Sequence, residues 1–320
     1  VDHPYAGWGL RLELGAVPGS HQDSLTAQRD PRLHISDLVP DVERGRQIDI
    51  EISCRPPVHA AIRLSAIAGP AHFEMVRAEV RRVDHDTMRC QLLVEACRHG
   101  IVVVDGIEPP ADTRLVRHDH DGRVVTTLAS HFGGIPLNSP NDVVVDLLGR
   151  IWFTDPTFGR IRDDVGILRP VELNHQGVYR LDPDGRLDLV VDDFKQPNGL
   201  CLSRDERHLF VNDSADPCIR RFDISPDGSL TNDQLWARVD GEQEGRKWVP
   251  DGMKVADTDH IFCNGPNGVH VFDSAAICLG VINFPEKSTN FCFGGPARDW
   301  LYVTASSRLY RIRTKISGPS

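Results

Sequence analysis

An all-β propeller of four-stranded antiparallel blades is the architecture this sequence predicts, and three observations carry it. A turn followed by an apolar strand recurs at matching positions along residues 114–320. Short strands joined by Asp-Gly turns lie between the copies. No stretch with sustained 3.6-residue apolar spacing interrupts them.

Taken in chain order, residues 1–113 form an atypical first segment. They hold three of the 21 aromatic residues (Tyr5, Trp8, Phe73), none of the five Lys and seven of the 14 His. Aromatic side chains supply much of the buried area of a β core, so this third is poor in core material. Its strand signals at 47–52, 61–66 and 100–104 are short and irregular. Two readings compete: a divergent but folded region, or an aberrant and poorly ordered one. If the ring is complete, this segment must supply its first one to two blades.

From residue 114 the repeat is clear. Pro140-Asn141-Asp142 leads into 143–145, then 151–155; Pro197-Asn198-Gly199 leads into 200–202, then 209–213; Pro250-Asp251-Gly252 leads into 253–255, then 261–265. A weaker fourth copy starts at Thr289-Asn290 and continues at 301–305. The starts Asn141, Asn198, Asp251 and Asn290 are 57, 53 and 39 residues apart, bracketing the ~40–50 residues of a propeller blade. Between them come hairpins around Asp121-Gly122, Asp184-Gly185 and Asp227-Gly228, and a looser one at 269–283. Two strands and two strands make one blade.

Composition narrows the function classes. Lys and Arg number 36 against 46 Asp and Glu, a net charge of −10, so a basic field for gripping phosphate backbones is absent and no nucleic-acid partner is expected. No run approaches the ~20 apolar residues that span a bilayer, and residues 1–20 show no basic segment followed by an apolar core. The expectation is a cytoplasmic protein without a membrane partner. The eight Cys show no C-x-x-C pair and read as reduced, buried thiols. Asn212-Asp213-Ser214 matches a glycosylation sequon and reads as chance. Nucleophile-elbow, zinc-protease, P-loop and dinucleotide fingerprints are all missing. The Asp-rich turns at 118–122 and 182–185 lack the Gly and Glu spacing of a calcium loop, and His131, His175, His208 and His270 have no nucleophile spacing around them.

Chemistry is expected where blades converge. In a propeller, equivalent loop positions meet at the axis. Asn141, Asn198 and Asp251 each follow a Pro, precede an inner strand and offer a side-chain oxygen. Three such oxygens suit a hard cation, Ca²⁺ foremost, and disfavour a structural zinc. The competing reading is that Pro-Asn-Gly and Pro-Asp-Gly are turn formers and nothing more; on either reading Gly199 and Gly252 serve the turn.

The runs Leu137 to Asp146 with Trp152 to Pro156, Gln196-Pro197-Asn198-Gly199-Leu200, Val249-Pro250-Asp251-Gly252-Met253 and Phe293-Gly294-Gly295-Pro296 resemble the gluconolactonase, senescence marker protein (regucalcin) and luciferin-regenerating enzyme family, in its bacterial gluconolactonase-like branch. The resemblance covers residues 114–320. It implies a six-bladed propeller with one divalent cation on the axis (Ca²⁺, with Zn²⁺, Mn²⁺ or Mg²⁺ as other ions) that hydrolyses sugar lactones or related cyclic esters. It also implies Asn198 and Asp251 as metal ligands, Asp251 as the water-activating residue, and Asn141 and Asp142 as substrate contacts. The family's N-terminal Glu ligand has no match here; Glu51, Glu74, Glu79 and Glu95 lack its sequence context. Two alternatives follow from that departure: a propeller that binds a cation or small ligand without turnover, and a defective chain whose first third does not complete the ring.

Overall fold

The computed structural model describes residues 113–118, 124–241, 248–306 and 308–319, together with the backbone of short strands at 49–50, 65–66, 76–77, 95–97 and 100–105. The described residues begin with β1 (Asp49–Ile50), β2 (Ser65–Ala66) and β3 (Val76–Arg77); β2 and β3 pair as a two-stranded sheet. Four blades then follow, each a meander of four consecutive antiparallel strands. Blade A is β4 (Glu95–Cys97), β5 (Gly100–Asp105), β6 (Arg114–His118) and β7 (Val124–Ala129). The short hairpin β8 (His131–Phe132) and β9 (Ile135–Pro136) leads to blade B: β10 (Val143–Val145), β11 (Ile151–Asp155), β12 (Gly177–Leu181) and β13 (Leu187–Val191). Blade C is β14 (Pro197–Leu202), β15 (His208–Asp213), β16 (Cys218–Ile224) and β17 (Leu230–Arg238). Blade D is β18 (Met253–Val255), β19 (Ile261–Gly265), β20 (Gly268–Phe272) and β21 (Cys278–Asn283). The last sheet, E, contains β22 (Ser288–Gly294), β23 (Trp300–Ala305) and β24 (Arg308–Arg313), and β1 pairs with β24 as its fourth strand. A strand from the first third thus covers an edge at the other end of the chain, which protects it from edge-to-edge pairing.

The strands form for local reasons. Val143-Val144-Val145 and Ile151-Trp152-Phe153 are β-branched and aromatic runs suited to a pleated, buried surface. Their turn is built by Asp146, whose Oδ1 accepts the amides of Leu148 (3.0 Å) and Arg150 (2.8 Å) while Oδ2 accepts Trp152 Nε1 (3.0 Å). The β12–β13 turn needs Gly185, whose φ of +91° is left-handed. One short helix, α1 (Phe158–Ile161), sits in the long β11–β12 connection. Among the described residues no helix is long and apolar enough to cross a membrane.

The core lies between the blades. Leu115, Leu137, Val143, Phe153 and Tyr179 fill the space between A and B; Phe153 stacks on Tyr179 with ring centroids 5.2 Å apart. Trp152, Leu200, Leu209 and Phe222 fill the next space, then Cys201, Phe210, Ile219 and Met253, then Phe262, Leu301, Val303 and Tyr310. The alternation along each strand sends neighbouring residues to opposite interfaces: Val143 goes toward A and Val144 toward C. The first strands of successive blades lie side by side, which brings their N-terminal ends together.

Candidate functional site

Asn141, Asn198 and Asp251 stand at the starts of the first strands of blades B, C and D. The first and third make the same backbone pattern with the second strand of their own blade. Asn141 N donates to Thr154 O (2.8 Å) and Thr154 N to Asp142 O (3.1 Å); Asp251 N donates to Asn264 O (3.2 Å) and Asn264 N to Gly252 O (2.9 Å). In blade C, Leu200 faces Val211, so Gly199 and Asn212 occupy the same register.

Side chains of the second strands tie these positions across blades. Thr154 Oγ1 accepts Asp142 N (3.1 Å) and donates to Asn198 O (2.8 Å). Asn212 Oδ1 accepts Gly199 N (3.1 Å), and its Nδ2 donates to Asp251 O (2.6 Å). Gly252 N donates to Thr289 O (2.9 Å). The three sequence-predicted positions are thereby joined into one hydrogen-bonded arc. The close approach explains the glycines differently from the turn expectation: neither Gly199 nor Gly252 has a left-handed φ. A Cβ on Gly199 would overlap Asp251 O, and one on Gly252 would overlap Asn290 Oδ1. What these positions require is the absence of a side chain, not an unusual torsion.

The fourth copy differs from its sequence reading by one residue. Asn290 pairs with Thr304 and Thr289 O takes the bond from Gly252, so Thr289 is the register equivalent of Asn141, Asn198 and Asp251. Asn290 matches Asp142 instead. Each accepts the next amide of its own strand: Asp142 Oδ1 from Val143 N (2.9 Å), Asn290 Oδ1 from Phe291 N (2.8 Å).

Three features set the electrostatics. Asn198 and Asp251 are buried, and Oδ1 of both Asn141 and Asn198 is enclosed without a hydrogen-bond donor. Enclosed oxygens with no donor are what a cation would satisfy. Among the described residues no three His, Cys, Asp or Glu side chains cluster; the donors here are one carboxylate and carboxamides, a hard, all-oxygen set that fits a Ca²⁺-like ion. Asp142 is buried, accepts Leu200 N through Oδ2 (3.3 Å) and lies 3.7 Å from Lys254 Nζ. Burial raises its pKa, and the Lys254 charge opposes the rise.

Sequence reasoning did not single out the supporting carboxylates. Asp155 accepts Asn138 N (2.8 Å) and Ser139 N (2.7 Å), the residues three and two before Asn141. Asp213 does the same for Lys195 N (2.8 Å) and Gln196 N (3.1 Å), three and two before Asn198. Burial pushes the Asp155 carboxyl up to about 7, against its two amide bonds. The signal was present: Thr154-Asp155 and Asn212-Asp213 end equivalent strands. The sequon lies in this machinery, and Asn212 is fully buried, leaving no room for a glycan in the folded chain. His270 is buried, stacks on Phe272 and donates from Nε2 to Pro266 O (2.8 Å); His175 Nε2 meets Tyr179 Oη (2.8 Å). Both pack. Glu51, Glu74, Glu79 and the Asp119–Asp121 turn lie outside the described residues, and Glu95 is described by its backbone alone.

Comparison with known proteins places these features in context. The family described as SMP-30/Gluconolactonase/LRE-like region matches residues 73–307, beginning upstream of the stretch whose motifs carried the resemblance. A gluconolactonase of Zymomonas mobilis is 34% identical over 210 residues, covering 64% of this chain and 58% of that enzyme. The chain spans about half the length of the curated relatives it matches. The solved gluconolactonase from Xanthomonas campestris is 33% identical, with a TM-score of 0.60 over 67% of this chain and 68% of that one. A calcium-binding regucalcin from Agrobacterium tumefaciens shares the fold at 18% identity, with a TM-score of 0.58 over 76% and 80% of the two chains.

Proposed function

The chain belongs to the SMP-30/gluconolactonase/LRE-like family, and from that premise we propose that it hydrolyses sugar lactones at the arc formed by Asn141, Asn198 and Asp251, with a divalent cation, Ca²⁺ foremost, held by Asn198 and Asp251. The observation that carries the reading is the enclosed, donorless Oδ1 of Asn198 in the same arc as buried Asp251, whose backbone carbonyl Asn212 Nδ2 holds. On this reading the ring closes at six blades, and residues before β4 supply the remaining one.

When bound, the ion supplies a Lewis acid for the ring carbonyl and for the negative charge that develops on its oxygen. The chain supplies the rest. Asp251 accepts the proton of the attacking water, so that hydroxide adds to the carbonyl carbon. The ring C–O bond then breaks, and the proton passes to the departing ring oxygen, giving a hydroxy acid. Asn141 presents its amide to the sugar hydroxyls; Asp142, which the resemblance implies as a second substrate contact, is buried and fixed by Leu200 N and Lys254, and on this reading holds the adjacent strand start in place instead. Support for the substrate class comes from the gluconolactonases that this chain resembles at 33% and 34% identity.

Acid release from gluconolactone and pentonolactones, followed at constant pH with Ca²⁺, Mn²⁺ or Zn²⁺ added, tests the proposal. Turnover is expected with at least one ion and is expected to stop with EDTA. Asp251→Asn should lower kcat by about 10²- to 10⁴-fold, the usual worth of a general base. A full rate in that variant would remove Asp251 from its role. No hydrolysis by the wild-type chain with any ion would end the lactonase reading.

A further inference from the structure

Resting on the reading of Asn198 as a cation donor, we infer that Ser214 is a positioning residue that decides which end of the Asn198 carboxamide faces the site. A serine hydroxyl has one hydrogen to donate and lone pairs to accept with. Ser214 Oγ lies 2.6 Å from Pro250 O, and a carbonyl can only accept, so the single hydrogen of Ser214 is committed there. The hydroxyl is left as an acceptor. The atom of Asn198 that lies 2.9 Å from it must therefore be the donor, Nδ2, which also reaches Pro250 O at 3.4 Å. The oxygen end is turned the other way, enclosed and without a donor.

The surrounding pieces hold this arrangement rigid. Ser214 is 4% exposed and Asn198 4% exposed. Ser214 N donates to Gln196 O (2.9 Å), and Asp213 Oδ1 accepts Gln196 N (3.1 Å), so the residue two before Asn198 is gripped on both backbone groups. Pro250, which orients the hydroxyl, immediately precedes Asp251, whose carbonyl is held by Asn212 Nδ2 at 2.6 Å. Asn212, Asp213 and Ser214 therefore set the geometry of one donor and the backbone of the next. Without the Ser214 hydroxyl only the longer 3.4 Å contact to Pro250 O opposes a half-turn of the carboxamide, which would present an NH₂ group and repel a cation. A carboxylate at position 198 has oxygen at both ends and would not depend on Ser214.

That difference gives the test. Ca²⁺ and Mn²⁺ binding is measured by isothermal titration calorimetry on the full chain, with thermal unfolding of each variant alongside. Ser214→Ala is expected to weaken binding at least tenfold in the Asn198 background. The same change made on Asn198→Asp is expected to weaken binding no more than twofold. Ser214→Cys, which keeps the volume with a poor acceptor, should repeat the tenfold loss and serves if the alanine variant fails to fold. Unchanged affinity in the Ser214 variants would overturn the inference while leaving the cation site standing. Equal losses in both backgrounds would overturn it too, because a general loosening of the loop does not distinguish an amide from a carboxylate. A wild-type chain that binds neither ion would overturn the inference together with the reading it rests on.

Discussion

Asp155 has a titration that the folded chain should display. Its carboxyl is raised from 3.8 to about 7 by burial, in spite of the amides of Asn138 and Ser139. Between these two values the folded state holds a proton that the unfolded chain releases. Stability from this group is therefore greatest below about pH 4 and is lost as pH climbs toward 7, at up to about 1.4 kcal/mol per pH unit. Asp155→Asn removes the titration. Its melting temperature should fall less steeply from pH 5 to 7 than that of the wild type, as read by differential scanning calorimetry. A parallel slope in the two proteins would mean that the carboxyl is ionised throughout this range. In the wild type, deprotonation also strengthens the grip on the loop before Asn141, so the KM for lactone should fall across the same window.

Within the strands, the contacts at Gly199 and Gly185 predict different costs for the same substitution. Gly185 has open space around its Cβ position and a φ of +91°, so Gly185→Ala costs the left-handed penalty alone, about 1–2 kcal/mol. Gly199 has an ordinary φ, but a Cβ there would overlap Asp251 O and approach Asn212 Nδ2 at 2.7 Å. Backbone must move, and overpacking of this kind costs about 1–3 kcal/mol. The movement is transmitted to Asp251. Gly199→Ala should therefore lose both melting temperature and cation affinity, while Gly185→Ala loses only the former. Calorimetric titration of the two variants separates these outcomes; equal affinities would show that the β14 start and the Asp251 loop move independently.

Across the blades, stability is assembled interface by interface, since each apolar cluster is shared by two neighbouring blades. An ion held by Asn198 and Asp251 would bridge blades C and D and bind the folded chain alone. At 100 times its Kd it should add about 2.7 kcal/mol, visible as a rise in melting temperature with Ca²⁺ that EDTA reverses and Asn198→Ala abolishes. No shift with any divalent ion would argue against the bridge. The first third also belongs to this scale: β5 pairs with β6 across residue 113, and β1 covers β24. A chain starting at residue 95 should unfold at a lower temperature than the full protein because the β24 edge is bared. An unchanged transition would show that this edge needs no cover.

Strands and turns were legible because they answer to near neighbours. Alternating apolar residues bury one face, an Asp-Gly pair closes a hairpin, and a Pro before Asn141, Asn198 and Asp251 marks equivalent starts, so the blades and these three positions follow from the amino-acid order alone. Contacts between blades were not legible, since they join residues 36 to 58 positions apart. For that reason Asn290 stands one position from the register its sequence predicts, and Gly199 and Gly252 answer to a neighbouring blade rather than to a turn. Only the packed blades decide which carbonyl each second-strand side chain reaches and which end of Asn198 is free. Those outcomes depend on how closely two sheets approach, and no local pattern encodes that distance.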